Sequence, residues 1–114
     1  MMNKRKQGAR AEKIACEYLK LQGYEILEQN FYAKTGEIDI IAKEDHVLVF
    51  IEVKYRSDGR LGMPGEAVNW KKQQKIRNTA MWYLKTKHLS FDQPMRFDVV
   101  EILGKKIRVI KYAF

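Results

Sequence analysis

The chain has 114 residues, 46% hydrophobic and 32% charged, with a formal net charge of +8, which suits one domain spanning 1–114 and leaves no room for a second. No run approaches the ~18 apolar residues of a bilayer span, and Met1-Met2-Asn3-Lys4-Arg5-Lys6 leads into Gln7-Gly8 instead of a signal-peptide apolar segment, so no membrane partner is expected. Cys16 is the only cysteine, which excludes an internal disulfide and a Cys/His zinc cluster and points to a reducing cytoplasm.

From Gly8, residues Ala11, Ile14, Ala15, Tyr18 and Leu19 recur at helical spacing, and Gly23 stops the helix. Tyr24 to Phe31 reads as a strand before the Lys34-Thr35-Gly36 turn. Glu37 to Ala42 and Val47 to Tyr55 follow as two strands of a β-hairpin, joined through the polar run Lys43-Glu44-Asp45-His46. Asp58-Gly59-Arg60-Leu61-Gly62-Met63-Pro64-Gly65 is a loop by its three glycines and one proline, and it could close over a substrate.

A second helix is expected from about Glu66 to Lys87, with Gln73, Ile76, Ala80, Tyr83 and Leu84 on one face. Trp70, Trp82 and Tyr83 are placed in the core, since aromatic residues at helical spacing usually pack there, although stacking on bases is the alternative use. Arg96 to Leu103 and Lys106 to Ala113 form a closing pair of strands around Gly104-Lys105. The order α-β-β-β-α-β-β predicts an α/β fold with a mixed central sheet flanked by helices.

The charge is unevenly placed. Ala67 to Phe91 holds six basic residues and no acid, and Gly104 to Phe114 holds four and no acid. Such segments attract a polyanion such as DNA or RNA with salt-sensitive affinity, although solvated helix faces give the same pattern.

The chemistry is read from the hairpin. Side chains alternate along a strand, so Glu37 and Asp39 share a face, as do Glu52, Lys54 and Arg56. Pairing Asp39 opposite Glu52 also pairs Lys43 with Leu48, leaving a four-residue connection, or a two-residue one if Glu44 and Val47 pair as well. Either puts both carboxylates on one side, and a one-residue slip separates them. Two carboxylates so close favour a hard cation between them, Mg²⁺ or Mn²⁺, which activates a water and neutralises charge on an attacked phosphate. Lys54 is placed to stabilise that transition state and Arg56 to contact phosphate. The same charges also fit the wet face of an amphipathic strand. Against this, Val47, Val49, Ile51 and Val53 make one face of the strand apolar, and Leu48 and Phe50 make the other apolar up to Glu52.

The runs Gly36-Glu37-Ile38-Asp39-Ile40-Ile41-Ala42, Phe50-Ile51-Glu52-Val53-Lys54-Tyr55-Arg56, Gly65-Glu66-Ala67-Val68 with Lys72-Gln73, and Arg96-Phe97-Asp98-Val99-Val100 resemble the bacterial YraN family over nearly the whole chain. That resemblance implies a restriction-endonuclease-like fold and a PD-(D/E)xK nuclease signature, carried by Asp39 and by Glu52-x-Lys54, with Ile38 where the signature has proline. Similarity of that family to archaeal Holliday-junction resolvases implies a further carboxylate on the first helix, matched by Glu12. On a helical wheel Glu12 leans toward Cys16 and Leu19, where it needs a partner: a metal, Lys54, or a surface pair with Lys13 or Arg10.

The expected site is therefore Asp39, Glu52 and Glu12 as Mg²⁺ or Mn²⁺ ligands with Lys54 as the stabilising cation. Arg56, Lys71, Lys72, Gln73 and Lys75 are candidates for contact with nucleic acid, DNA in the first place. A homodimer is expected if both strands of a junction are cut. A nucleic-acid-binding module without cleavage is the competing reading. His46 and His88 read as surface residues, and Asp98 as structural.

Overall fold

The computed structural model describes residues 4–56 and 68–114, with side chains from residue 8 onward. The loop expected over residues 58–65 and the expected helix start at residues 66 and 67 lie outside the described residues.

The first helix, α1, runs Lys4–Leu21. Ala11, Ala15, Cys16 and Leu19 make its buried stripe. Gly23, at φ 95°, closes it: the Gly23 N–H donates to Lys20 O and the Tyr24 N–H to Leu19 O, a left-handed cap that a side chain at this position would strain. Five strands follow as β1 (Glu25–Ala33), β2 (Gly36–Glu44), β3 (Val47–Arg56), β4 (Met95–Leu103) and β5 (Lys106–Ile110), with helix α2 (Trp70–Thr86) between β3 and β4. The sheet order is β1-β2-β3-β4-β5. Among the described strands only β3 and β4 pair in parallel, because α2 lies between them in the chain.

Each helix covers one face of this mixed sheet. Ile40, Ala42, Val49, Ile51, Val100 and Ile102 pack with the α1 stripe. Ile38, Ile41, Leu48, Phe50, Phe97 and Val99 pack with Ile76, Ala80, Tyr83 and Leu84 of α2. The double apolar pattern of β3 thus reflects a strand covered on both faces.

The start of α2 and the end of β5 depart from expectation for local reasons, and the hairpin takes the shorter of its two expected connections. Val68 and Asn69 precede α2 instead of belonging to it: the Asn69 side chain accepts the Lys72 N–H at 2.9 Å from extended backbone and so caps a helix that begins at Trp70. The β2–β3 hairpin keeps pairing to Glu44 and Val47, so only Asp45 and His46 turn, both at positive φ as a type I′ turn requires. β5 stops at Ile110, where Tyr112 takes φ 54° and its N–H turns to the Asp98 carboxylate. The core assignment holds for Tyr83, but not for the two tryptophans: Trp70 is 72% and Trp82 44% exposed.

Two buried charge groups hold the far parts of the sheet. Asp98 is fully buried and accepts from the Arg96 guanidinium, the Tyr24 hydroxyl and the Tyr112 N–H. Glu101, also fully buried, pairs with Arg56 and Arg108.

Candidate active site

The site forms where β2 and β3 part. Their ladder ends at Ile40 opposite Ile51, and at the next position the Asp39 carboxylate accepts the Val53 N–H at 2.8 Å. A side chain has replaced a backbone partner, which opens the sheet and fixes one Asp39 oxygen. The other neighbour is equally irregular. Ile38 and Ile40, two residues apart, pack on opposite faces, so the alternation breaks at Asp39, opposite Asn30 at φ 53°.

Asp39 and Glu52 are each 7% exposed and line one cavity of about 290 Å³ with Gly36, Glu37, Lys72, Lys75 and Ile76. Gly36 sits there at φ 146°, a backbone state that L side chains avoid. Its neighbour Thr35 is tied to α2 through a 2.7 Å hydrogen bond with Thr79, whose hydroxyl donates to Lys75 O. The β1–β2 turn is thereby fastened to the helix that supplies Lys72 and Lys75.

The carboxylates divide into two groups. Glu12 from α1 and Glu37 and Asp39 from β2 bring carboxylate oxygens within 4.8 Å of one another, the single such group of potential metal ligands among the described residues. Glu52 instead forms an ion pair with Lys72. Burial, then the Glu52 charge, pushes the Asp39 carboxyl up to about 8 despite the Val53 N–H, with Glu12 and Glu37 adding to the rise. Burial also raises Glu12, opposed by a hydrogen bond from Asn30 and reinforced by Glu37 and Glu52. The nearby Asp39 side chain works in the opposite direction on Glu12. Burial works to lower the Lys72 ammonium, but Glu52, Asp39 and Glu37 outweigh it and raise it.

This donor set is all carboxylate oxygen, and it fits a hard divalent cation. Glu12, Glu37 and Asp39 are the residues already gathered to hold one, with Glu52 on the same cavity wall.

The remaining expected residues are spread more widely. Lys54 lies half-buried one step beyond Glu52 on the same face of β3, past the described lining of the cavity. Arg56 is engaged by Glu101 at 3.3 Å. Gln73 donates to Val68 O at 3.0 Å and so supports the start of α2. Lys71 is exposed on the outer face of α2, and Lys75 reaches the cavity. Glu37 and Asn30 join the site without having been singled out as ligands. Glu37 had a signal, its placement on the Asp39 face. Asn30 had none, because its role depends on a left-handed residue inside a strand.

A family model described as "Uncharacterised protein family UPF0102" matches residues 11–102. A UPF0102 protein of Lachnoclostridium phytofermentans is 49% identical over 113 residues, 99% of this chain and 96% of the relative. UPF0102 proteins of Thermodesulfovibrio yellowstonii and Caldicellulosiruptor bescii are 47% and 48% identical, covering 94% and 99% of this chain and 94% and 100% of theirs. The matched region contains Glu12, Glu37, Asp39, Glu52 and Lys54, and the chain belongs to the UPF0102 family, the YraN family of the sequence resemblance.

Proposed function

We propose that this protein is a divalent-metal-dependent endonuclease that hydrolyses phosphodiester bonds in DNA, with branched or junction DNA as its substrate. The observation that carries the reading is the burial of Asp39 and Glu52, from adjoining strands, on the wall of one cavity that α2 edges with Lys72 and Lys75. The Asp39, Glu52-x-Lys54 spacing and the mixed sheet between two helices support a restriction-endonuclease-like assignment.

Asp39, Glu12 and Glu37 would hold Mg²⁺ or Mn²⁺, with Glu52 joining them on release from Lys72. The bound cation supplies Lewis-acid stabilisation of charge at the phosphate and acidifies a water. The chain's own work is positional. The Val53 N–H fixes the Asp39 carboxylate, so its second oxygen is presented to the cavity without reorganisation. Lys72, freed from Glu52, and Lys75 neutralise phosphate oxygens at the cavity mouth, and Lys54 supplies a further cation along β3. A dimer would let two such sites cut both strands of a junction.

The Glu52–Lys72 ion pair favours a second reading, in which the fold binds nucleic acid and does not cleave it. Cleavage of flap, junction and duplex DNA with Mg²⁺ or Mn²⁺ decides between them. Wild-type protein should cut one of these, and Asp39→Asn should lose about 100-fold or more in rate while retaining binding. No metal-dependent cleavage by the wild type, or undiminished cleavage by Asp39→Asn, overturns the nuclease reading.

A further inference from the structure

Both tryptophans lie on α2 and both are exposed. Tryptophan is ordinarily well buried, so a ring that keeps 44% of its surface exposed at Trp82, on a helix that already buries Ile76, Thr79, Ala80, Tyr83 and Leu84, calls for a use. Trp82 does not extend an apolar patch along its own row. At 100° per residue, Lys71, Lys75, Asn78, Trp82 and Lys85 fall in one stripe ~80° wide, and all five are exposed. The described part of the chain from Val68 to Phe91 contains no acid. The stripe is therefore three lysines and an asparagine with one large aromatic ring set among them. The Lys85 ammonium stands 5.0 Å from the Trp82 ring centroid.

The row has a direction. Lys75 lines the carboxylate cavity, and Lys85 lies roughly 15 Å farther along the helix axis at ~1.5 Å per residue. That length matches about four stacked nucleotide steps at ~3.4 Å each. A duplex would offer such a row its phosphates, but its base faces are stacked away and a tryptophan there gains nothing that a lysine would not exceed. An unpaired strand offers both phosphates and a free base face.

We propose that the outer face of α2 is a track for single-stranded nucleic acid, with an unpaired base stacked on Trp82 and backbone phosphates on Lys71, Lys75 and Lys85. The substrate then carries an unpaired segment that leaves the carboxylate cavity along α2. This assignment rests on the nuclease reading for its substrate, but it is tested by binding alone.

The test uses the full chain in the Trp70→Phe background, so that Trp82 is the only tryptophan, titrated in EDTA with an unlabelled single-stranded oligodeoxynucleotide, a blunt duplex, and a duplex bearing a single-stranded overhang. The single strand and the overhang should quench Trp82 fluorescence and bind more tightly than the blunt duplex. Trp82→Ala should weaken single-strand binding by about 5- to 100-fold and leave duplex binding within about 2-fold, with Trp82→Phe intermediate. Circular dichroism of each variant checks folding. Equal affinity for single strand and duplex with unquenched Trp82 overturns the track. So does a Trp82→Ala variant altered only in self-association, or a protein that takes up anionic vesicles and ignores DNA. Single-strand binding through Trp82 in a protein that cleaves nothing removes the nuclease reading and keeps the track, whereas cleavage indifferent to Trp82 removes the track alone.

Discussion

Asp39→Asn should make the metal-free protein more stable, by an amount that grows with pH. The Asp39 carboxyl titrates near 3.9 in an unfolded chain and is pushed up to about 8 in the fold by burial and by Glu52. Between those values the folded state holds a proton that the unfolded state has released, so stability falls as pH rises through this window and levels off above the folded value. Each pH unit in the window is worth ~1.4 kcal/mol, which sums to ~4 kcal/mol by pH 7 as a ceiling. Water entering an open cavity and readjustment of Lys72 bring the expected gain to ~1–3 kcal/mol near pH 8, shrinking toward zero near pH 4. Asparagine keeps an acceptor for the Val53 N–H and gains a donor toward Glu12, so packing changes little. Urea denaturation of both proteins in EDTA at several pH values from 4 to 8.5 measures the difference. A variant less stable than wild type at pH 8, or a difference that does not vary with pH, refutes the electrostatic reasoning.

Removing Lys72 acts in the opposite sense: Lys72→Ala leaves Glu52 buried beside Asp39 and should cost about 1–2 kcal/mol in EDTA, with Mn²⁺ restoring part of the loss in thermal melts. Cation binding must expel the proton that burial and Glu52 keep on Asp39, so Mn²⁺ affinity should rise with pH up to about 8, and calorimetry in buffers of different ionisation enthalpy should register proton release. Asp98→Ala strips the buried Arg96 of one of its two carboxylate partners, leaving Glu44, and should destabilise by ~2–4 kcal/mol in denaturant titrations without altering Mn²⁺ affinity in whatever fraction folds. His88 closes α2 in a left-handed conformation, with its N–H on Lys85 O and the Leu89 N–H on Leu84 O, so His88→Gly should raise stability by ~0.5–1 kcal/mol in the same assay.

Much of the sheet is legible in the sequence because its determinants are local. Val47 to Ile51 is apolar on both sides, which marks a doubly covered strand, and the even spacing across Asp45-His46 sets the hairpin register that puts Asp39 level with Glu52. The start of α2 is less legible. The segment ahead of Trp70 fits helix as well as loop, and only the Asn69 side chain closing on the Lys72 N–H decides between them. The site is legible where it depends on register and opaque where it depends on distortion. Nothing in the sequence signals that Asn30 takes a left-handed conformation opposite Asp39, or that the ladder ends there with a side chain on the Val53 N–H. Those two features bring Glu37 and Glu12 onto Asp39. Glu52 was expected beside the same cation, but a lysine one helical turn into α2 reaches it first, a long-range contact no spacing along β3 encodes. Trp82 shows a different limit, since helical spacing alone does not say whether an aromatic ring faces the sheet or the solvent.

Titration of the wild-type protein with Mn²⁺, followed by the loss of the free-ion paramagnetic resonance signal at pH 8, addresses the carboxylate cluster most directly. Saturable uptake of Mn²⁺ that disappears in Asp39→Asn and weakens in Glu12→Gln and Glu37→Gln is the expected result. Uptake identical in wild type and Asp39→Asn, or none in either with DNA present, would contradict a divalent-cation site at the parting of β2 and β3.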